Sequence, residues 1–173
     1  LNSEQLNALG TANLSALKTS QLTAIETGVM AALSSASVRG LLPAQISALR
    51  TDQIVGLTVA QFASLSTGNI SGLGVAQIAV IETQDIAALS EAGVRALSAS
   101  QVRALESGQI AALGTNQIVA LSTANIAALS AVQFGFMESA DVAVLSSGSL
   151  RAMGSAQRSE EHTSELQSRQ YLV

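Results

Sequence analysis

Apolar and polar residues alternate along this chain with a period of eight. Aligning TNQIVALS (Thr115–Ser122) on TANIAALS (Thr123–Ser130) sets a register that runs without insertion from Ser3 to Gly154, nineteen octads in all. With Thr115 as position one, position four is apolar in every copy, as in Leu6, Met30, Ile54, Phe62 and Val142. Position seven is also apolar throughout, and is Leu except at Ile25, Ile81, Met137 and Met153. Position six is small apart from Val80, Phe136 and Val144, and position one is Ser or Thr in thirteen copies. Charges fall mainly at positions two, five and eight. A fixed register over divergent residues is the signature of a repeat architecture.

Three backbones compete for such an octad. A continuous helix advances about 100° per residue, so eight residues overshoot two turns and the apolar stripe winds around the rod. Gly and paired Ser/Thr at each junction weaken it further. A β-solenoid needs inward residues at alternate positions, which the apolar position seven violates, although Ile and Val at position four keep this alternative open. One short helix per octad uses every recurrent residue type. The pattern predicts an N-cap at position one, helix from two to seven, and termination at position eight. Gly10, Gly74, Gly114 and Gly154 then suit a left-handed closing conformation, and Pro43 falls beside a helix start. The expected fold is therefore all-α: a solenoid of very short helices, stable only through stacking, with β-solenoid as the alternative. The small position six would let one superhelical turn approach the next.

Position three is Gln, Asn or Asp in fifteen copies. A Gln at the edge of the core can bond the free backbone groups at a neighbouring octad's helix ends, which predicts a polar ladder of Gln5, Gln21, Gln45, Gln53, Gln61, Gln77, Gln101, Gln109, Gln117 and Gln133. A solvated position would tolerate Lys and Glu more often than this one does.

Composition narrows the chemistry. Apolar residues make up 48% but aromatics only 2%, so the core is aliphatic. No Cys occurs, and no His, Tyr or Trp precedes Arg158, which removes the parts for zinc sites, Ser–His or Cys nucleophiles and stacking platforms. Six scattered basic residues before Arg158 form no basic patch, so nucleic acid is not an expected partner. No apolar run is long enough for a membrane span. The carboxylate pairs Glu82/Asp85 and Glu138/Asp141 straddle octad junctions, where capping of helix starts explains the two Asp residues. GNISGLG (Gly68–Gly74) is an ordinary octad and not a phosphate loop. FGFME (Phe134–Glu138) reads as core filling or an edge contact, and Arg95 and Arg103 share position five on one ridge. No catalytic, cofactor or metal residues are expected, and the chain is not read as an enzyme.

The QIxAL rhythm of Leu1–Gln157 resembles short tandem repeats of very large bacterial surface or secreted proteins. That resemblance implies a rigid spacer or binding scaffold cut from a longer array, outside or on the surface of the cell. Repeated Ser/Thr ridges against ice, carbohydrate or like molecules are the alternative, although Pro43, Val59, Val75, Glu91, Ala99 and Ala131 interrupt position one. Uncapped ends would favour self-association. At position four Arg158 breaks the apolar rule. From there RSEEHTSELQS, with the later YLV, resembles the translated sequence of a common short-read sequencing adapter. Residues 158–173 are thus expected to be a non-native, disordered tail on an octapeptide domain spanning 1–157.

Overall fold

Burial follows the octad. Position-four residues such as Leu22, Val38, Ile54 and Ile78 are wholly buried, and position-seven residues such as Leu49, Leu89 and Leu113 are nearly so. One continuous hydrophobic cluster runs from Leu6 to Met153. The computed structural model describes residues 3–155 together with Gln157 and Arg158. All regular structure among these residues is helical, one short helix per octad after an opening segment, Ser3–Ser15, that breaks at Gly10. The chain is an α-solenoid.

Each helix is displaced one residue toward the N-terminus of the expected register. Helices start at position one, as in Pro43–Ala48, Thr51–Val55 and Val59–Ser64, and end at position five or six, except Ala131–Phe134, which ends at position four. Position eight is the N-cap, in extended conformation, as at Leu42 (φ −73°, ψ 155°) and Gly74 (φ −76°, ψ 158°). Where position eight is Ser or Thr, its hydroxyl accepts the backbone N–H of position three, as Thr58 does from Gln61 and Ser98 from Gln101. Hydroxyl residues occupy both position eight and position one, so sequence alone could not choose between them. Of the position-eight glycines expected to close helices, Gly74 and Gly114 are instead extended N-caps, and only Gly10, among the described residues, has positive φ, at 69°. Pro43 sits in the first helical turn, where its missing N–H breaks no bond.

The chain turns because positions seven and eight are both extended while the helices flanking them are not. Leu49, for example, has φ −60° and ψ 141°. Its N–H closes the preceding helix on the Ile46 carbonyl at 3.1 Å. Each helix packs against the third helix further on: Pro43–Ala48 against Thr67–Gly72, Val59–Ser64 against Thr83–Ala88, and Thr123–Ala128 against Ser147–Ala152. Side-chain bonds between successive coils span 28 and 31 residues. One superhelical coil therefore holds about three and a half octads, since 28 is 3.5 times eight.

Close coil contact explains position six. A Cβ on Gly72 would lie 2.5 Å from the Pro43 carbonyl oxygen and 2.8 Å from its Cα, so only glycine fits there. Gly40 similarly abuts Thr11 and Gly56 abuts Thr27, in each case position one of the octad three earlier. The larger exceptions, Val80, Phe136 and Val144, point outward and are exposed. At the far end the Arg158 N–H bonds the Gly154 carbonyl at 3.1 Å, and the Arg158 side chain is exposed. The rest of the expected tail, 159–173, lies outside the described residues.

Candidate functional site

Short helices leave more orphan backbone groups than they satisfy, because the first and last turns are nearly the whole element. The position-three amide serves both ends. In Gln77 the side-chain oxygen accepts the Gly74 N–H at 2.7 Å, capping its own helix. Its Nε2 donates to the Ile46 carbonyl at 2.9 Å and the Leu49 carbonyl at 2.7 Å, at the end of a helix one coil back. Gln53, Gln101 and Gln109 repeat these three bonds. Gln45, Gln61, Gln117 and Gln133 make them too and reach a third carbonyl. All eight side chains are buried. Gln5 and Gln21 lie in the first coil and are exposed, and Gln21 accepts the Lys18 N–H at 2.9 Å.

Only an amide combines an acceptor for the cap with a two-hydrogen donor for the carbonyls. Glu could cap but not link; Lys could link but not cap. Gln157, beyond the nineteen octads, makes the same bonds to Gly154, Ile126 and Leu129. Asn is one methylene shorter: Asn69 and Asn125 reach only the carbonyls of Leu41 (2.7 Å) and Leu97 (2.9 Å). At Ser37 the slot is served instead from the coil below, where Asn7 accepts from the Ser34 N–H and Ser37 Oγ and donates to the Ala32 carbonyl.

The ladder has gaps. Gly93 has no side chain, and the Ser149 hydroxyl pairs with Ser146. Asp85 is 2% exposed and its Oδ1 has no hydrogen-bond partner. Burial, with a smaller contribution from Glu82, pushes its carboxyl up to about 6. Asp141 is buried as well, and its Oδ2 accepts the Glu138 N–H at 3.3 Å. In neither pair do the two carboxylates share a surface, because Glu82 and Glu138 are exposed while their partners face inward.

A longer repeat, of seven octads, locates these gaps. Position three reads Gln, Asn, Gln, Val, Ser, Gln, Gln from Gln5, and then repeats from Gln61 and again from Gln117 with Asp in place of Val and Gly or Ser in the fifth slot. The segments IETGVMAALSSASVRGL (Ile25–Leu41), IETQDIAALSEAGVRAL (Ile81–Leu97) and MESADVAVLSSGSLRAM (Met137–Met153) stand 56 residues apart. Seven octads make two coils, so residues at this interval stack on one side of the rod.

That side carries Arg39, Arg95 and Arg151, all exposed. Beside the Ser149 gap a recess of about 400 Å³ opens between coils, lined by Arg95, Leu121, Ser122, Thr123, Ser146 and Ser149 among others. Arg103, on the same position of the next octad, instead reaches the Ala128 carbonyl at 3.5 Å. The aromatic pair divides: Phe134 fills the core, and Phe136 lines a groove with Val75, Ala79, Arg103 and Val132. Arg50 and Asp52 form an exposed ion pair at 2.9 Å that lowers the Asp52 carboxyl, and Arg50 also donates to the Thr23 carbonyl.

A protein-family model for the ALTTAQ repeat matches residues 22–59, 78–115 and 103–136, together more than half of the chain. The chain belongs to the ALTTAQ repeat family. No curated protein and no solved structure matches it. Spelled as a peptide, the ALTTAQ phrase runs from position six to position three, as in GLTVAQ (Gly56–Gln61). It therefore covers the corner between two helices of this ALTTAQ array: the close-contact residue, the core Leu, the N-cap, the first helical turn and the ladder amide. No helix of the array, among the described residues, is long and apolar enough to cross a membrane.

Proposed function

We propose that this ALTTAQ array is a non-catalytic scaffold, a stiff rod that spaces or presents other parts of a larger, exported assembly. The supporting observation is where its polar chemistry goes. Eight buried glutamines direct their amides at the rod's own backbone, so these side chains join coil to coil and none is offered to a substrate. A rod made this way has a length set by its octad count. Removing residues 61–116, two coils, should shorten the particle by about 16–20 Å, taking 8–10 Å per helix layer. Small-angle scattering measures this directly. A shortened chain that becomes globular, or keeps its original length, refutes the rod.

The recess beside Arg95 favours a second reading, in which the array also binds along the face that carries Arg39, Arg95 and Arg151. A guanidinium among serine and threonine hydroxyls suits an acidic, hydroxyl-rich ligand such as a uronic-acid polymer. Polygalacturonate binding that survives Arg95→Gln together with Arg39→Gln would rule it out.

A further inference from the structure

We propose that Asp85 is a proton-operated joint between two coils: as a neutral acid it donates its carboxyl hydrogen to the Leu57 carbonyl, and as a carboxylate it leaves that link open. Position-three side chains on either side bond the carbonyl 28 residues back, Asn69 to Leu41, Gln77 to Leu49 and Gln101 to Leu73. The same step from Asp85 lands on Leu57. A carboxylic acid has the shape of the Asn amide, and Asn69 and Asn125 show that this length reaches the carbonyl at 2.7 and 2.9 Å. Ionised, Asp85 brings only acceptors to a carbonyl oxygen, a pairing that no hydrogen bond can bridge.

The orphaned atoms agree with that slot. Asp85 Oδ1 is buried without a partner, and no donor reaches the Leu57 carbonyl among the described residues. The surroundings offer no counter-charge. Val59–Ser64 and Ser107–Ala111, the helices packed on Thr83–Ala88, contain no ionisable side chain. Glu82 at the same corner, Glu91 on the following helix and Glu106 capping the helix above are exposed and of the same sign. Arg50, below, is exposed and engaged by Asp52.

Position makes the joint consequential. The next rung, Gly93, has no side chain, so between Gln77 and Gln101 this seam depends on Asp85 alone. Burial raises the folded-state pKa above the unfolded value of about 3.9. The link is complete below about pH 4, weakens as the pH rises toward the folded-state value near 6, and is lost above it.

The test compares the full chain with its Asp85→Asn variant, whose amide keeps a hydrogen at every pH. Denaturant midpoints should coincide near pH 4, while near pH 8 the variant should have the higher midpoint and slower hydrogen exchange over residues 83–97. An offset of equal size at both pH values overturns the proposal. Carbon-13 titration of the wild-type carboxyl provides the second reading: a midpoint well above 4 is expected, and a midpoint at the ordinary Asp value also overturns it.

Discussion

Replacing Gln109 by Met tests what holds the coils together. The two side chains have similar length and volume, so the substitution removes hydrogen bonding without opening a cavity. Three bonds go: the Glu106 N–H at 2.7 Å, the Ile78 carbonyl at 2.8 Å and the Ile81 carbonyl at 2.7 Å. At about 0.5–1.5 kcal/mol net each, the loss is about 1.5–4.5 kcal/mol, and leaving the carbonyls buried and unsatisfied pushes toward the upper end. Better burial of the thioether returns about 1 kcal/mol, so about 2–3 kcal/mol of destabilisation is expected. Gln109→Asn should fall between wild type and Gln109→Met, because the shorter amide at Asn69 keeps one carbonyl link where a Gln makes two. Gln84→Met is the control, at an exposed glutamine that bonds only the Glu82 carboxylate. It should change stability by less than about 0.5 kcal/mol. Urea denaturation followed by far-UV circular dichroism gives the ranking, and hydrogen exchange should localise the damage to the two coils that Gln109 joins. Equal losses for Gln109→Met and Gln84→Met would refute the view that the amide links, and not the aliphatic core alone, hold the coils in place.

Other substitutions probe the remaining elements. Gly72→Ala should destabilise by about 1–3 kcal/mol, because its Cβ meets Pro43 backbone at 2.5 Å, whereas Gly68→Ala, with no contact closer than 3.7 Å, should be neutral or slightly stabilising in the same melt. Ile54→Ala, at a fully buried site, should cost about 2–5 kcal/mol, and Val132→Ala, 71% exposed, should cost almost nothing. Asp52→Asn should leave thermal stability unchanged at every salt concentration, since the Arg50 pair lies in solvent. Deleting one octad, such as residues 99–106, should change the melting temperature little, because Gln109, Gln117 and Gln133 meet equivalent carbonyls one octad earlier and Gln157 keeps Ile126 and Leu129.

Core positions are the most legible part of the fold, because burial selects for apolarity whatever the backbone does: positions four and seven can be picked out before any helix is placed. The cap register is not legible, because a hydroxyl at position eight and one at position one look alike, and only the extended φ and ψ of Ser66 or Thr58 separate N-cap from first turn. Position three stands apart in the sequence through its avoidance of Lys and Glu, but the partners of each amide depend on how many octads close a coil, which no single octad encodes. Asp85 and Asp141 look like helix caps by charge and spacing. Both face inward, but Asp141 accepts at its cap, whereas Asp85 Oδ1 has no partner.

The half-integer coil has a consequence for how such a chain can grow. Successive layers are staggered like bricks in a wall, each corner resting on the middle of a helix below, so no vertical joint runs the length of the rod. Duplicating a single octad would rotate every later layer and misalign each special residue with its counterpart. Only a copy of seven restores the bond. The 56-residue spacing of Arg39, Arg95 and Arg151 is thus the smallest unit that evolution could have duplicated while keeping one side of the wall decorated in the same way.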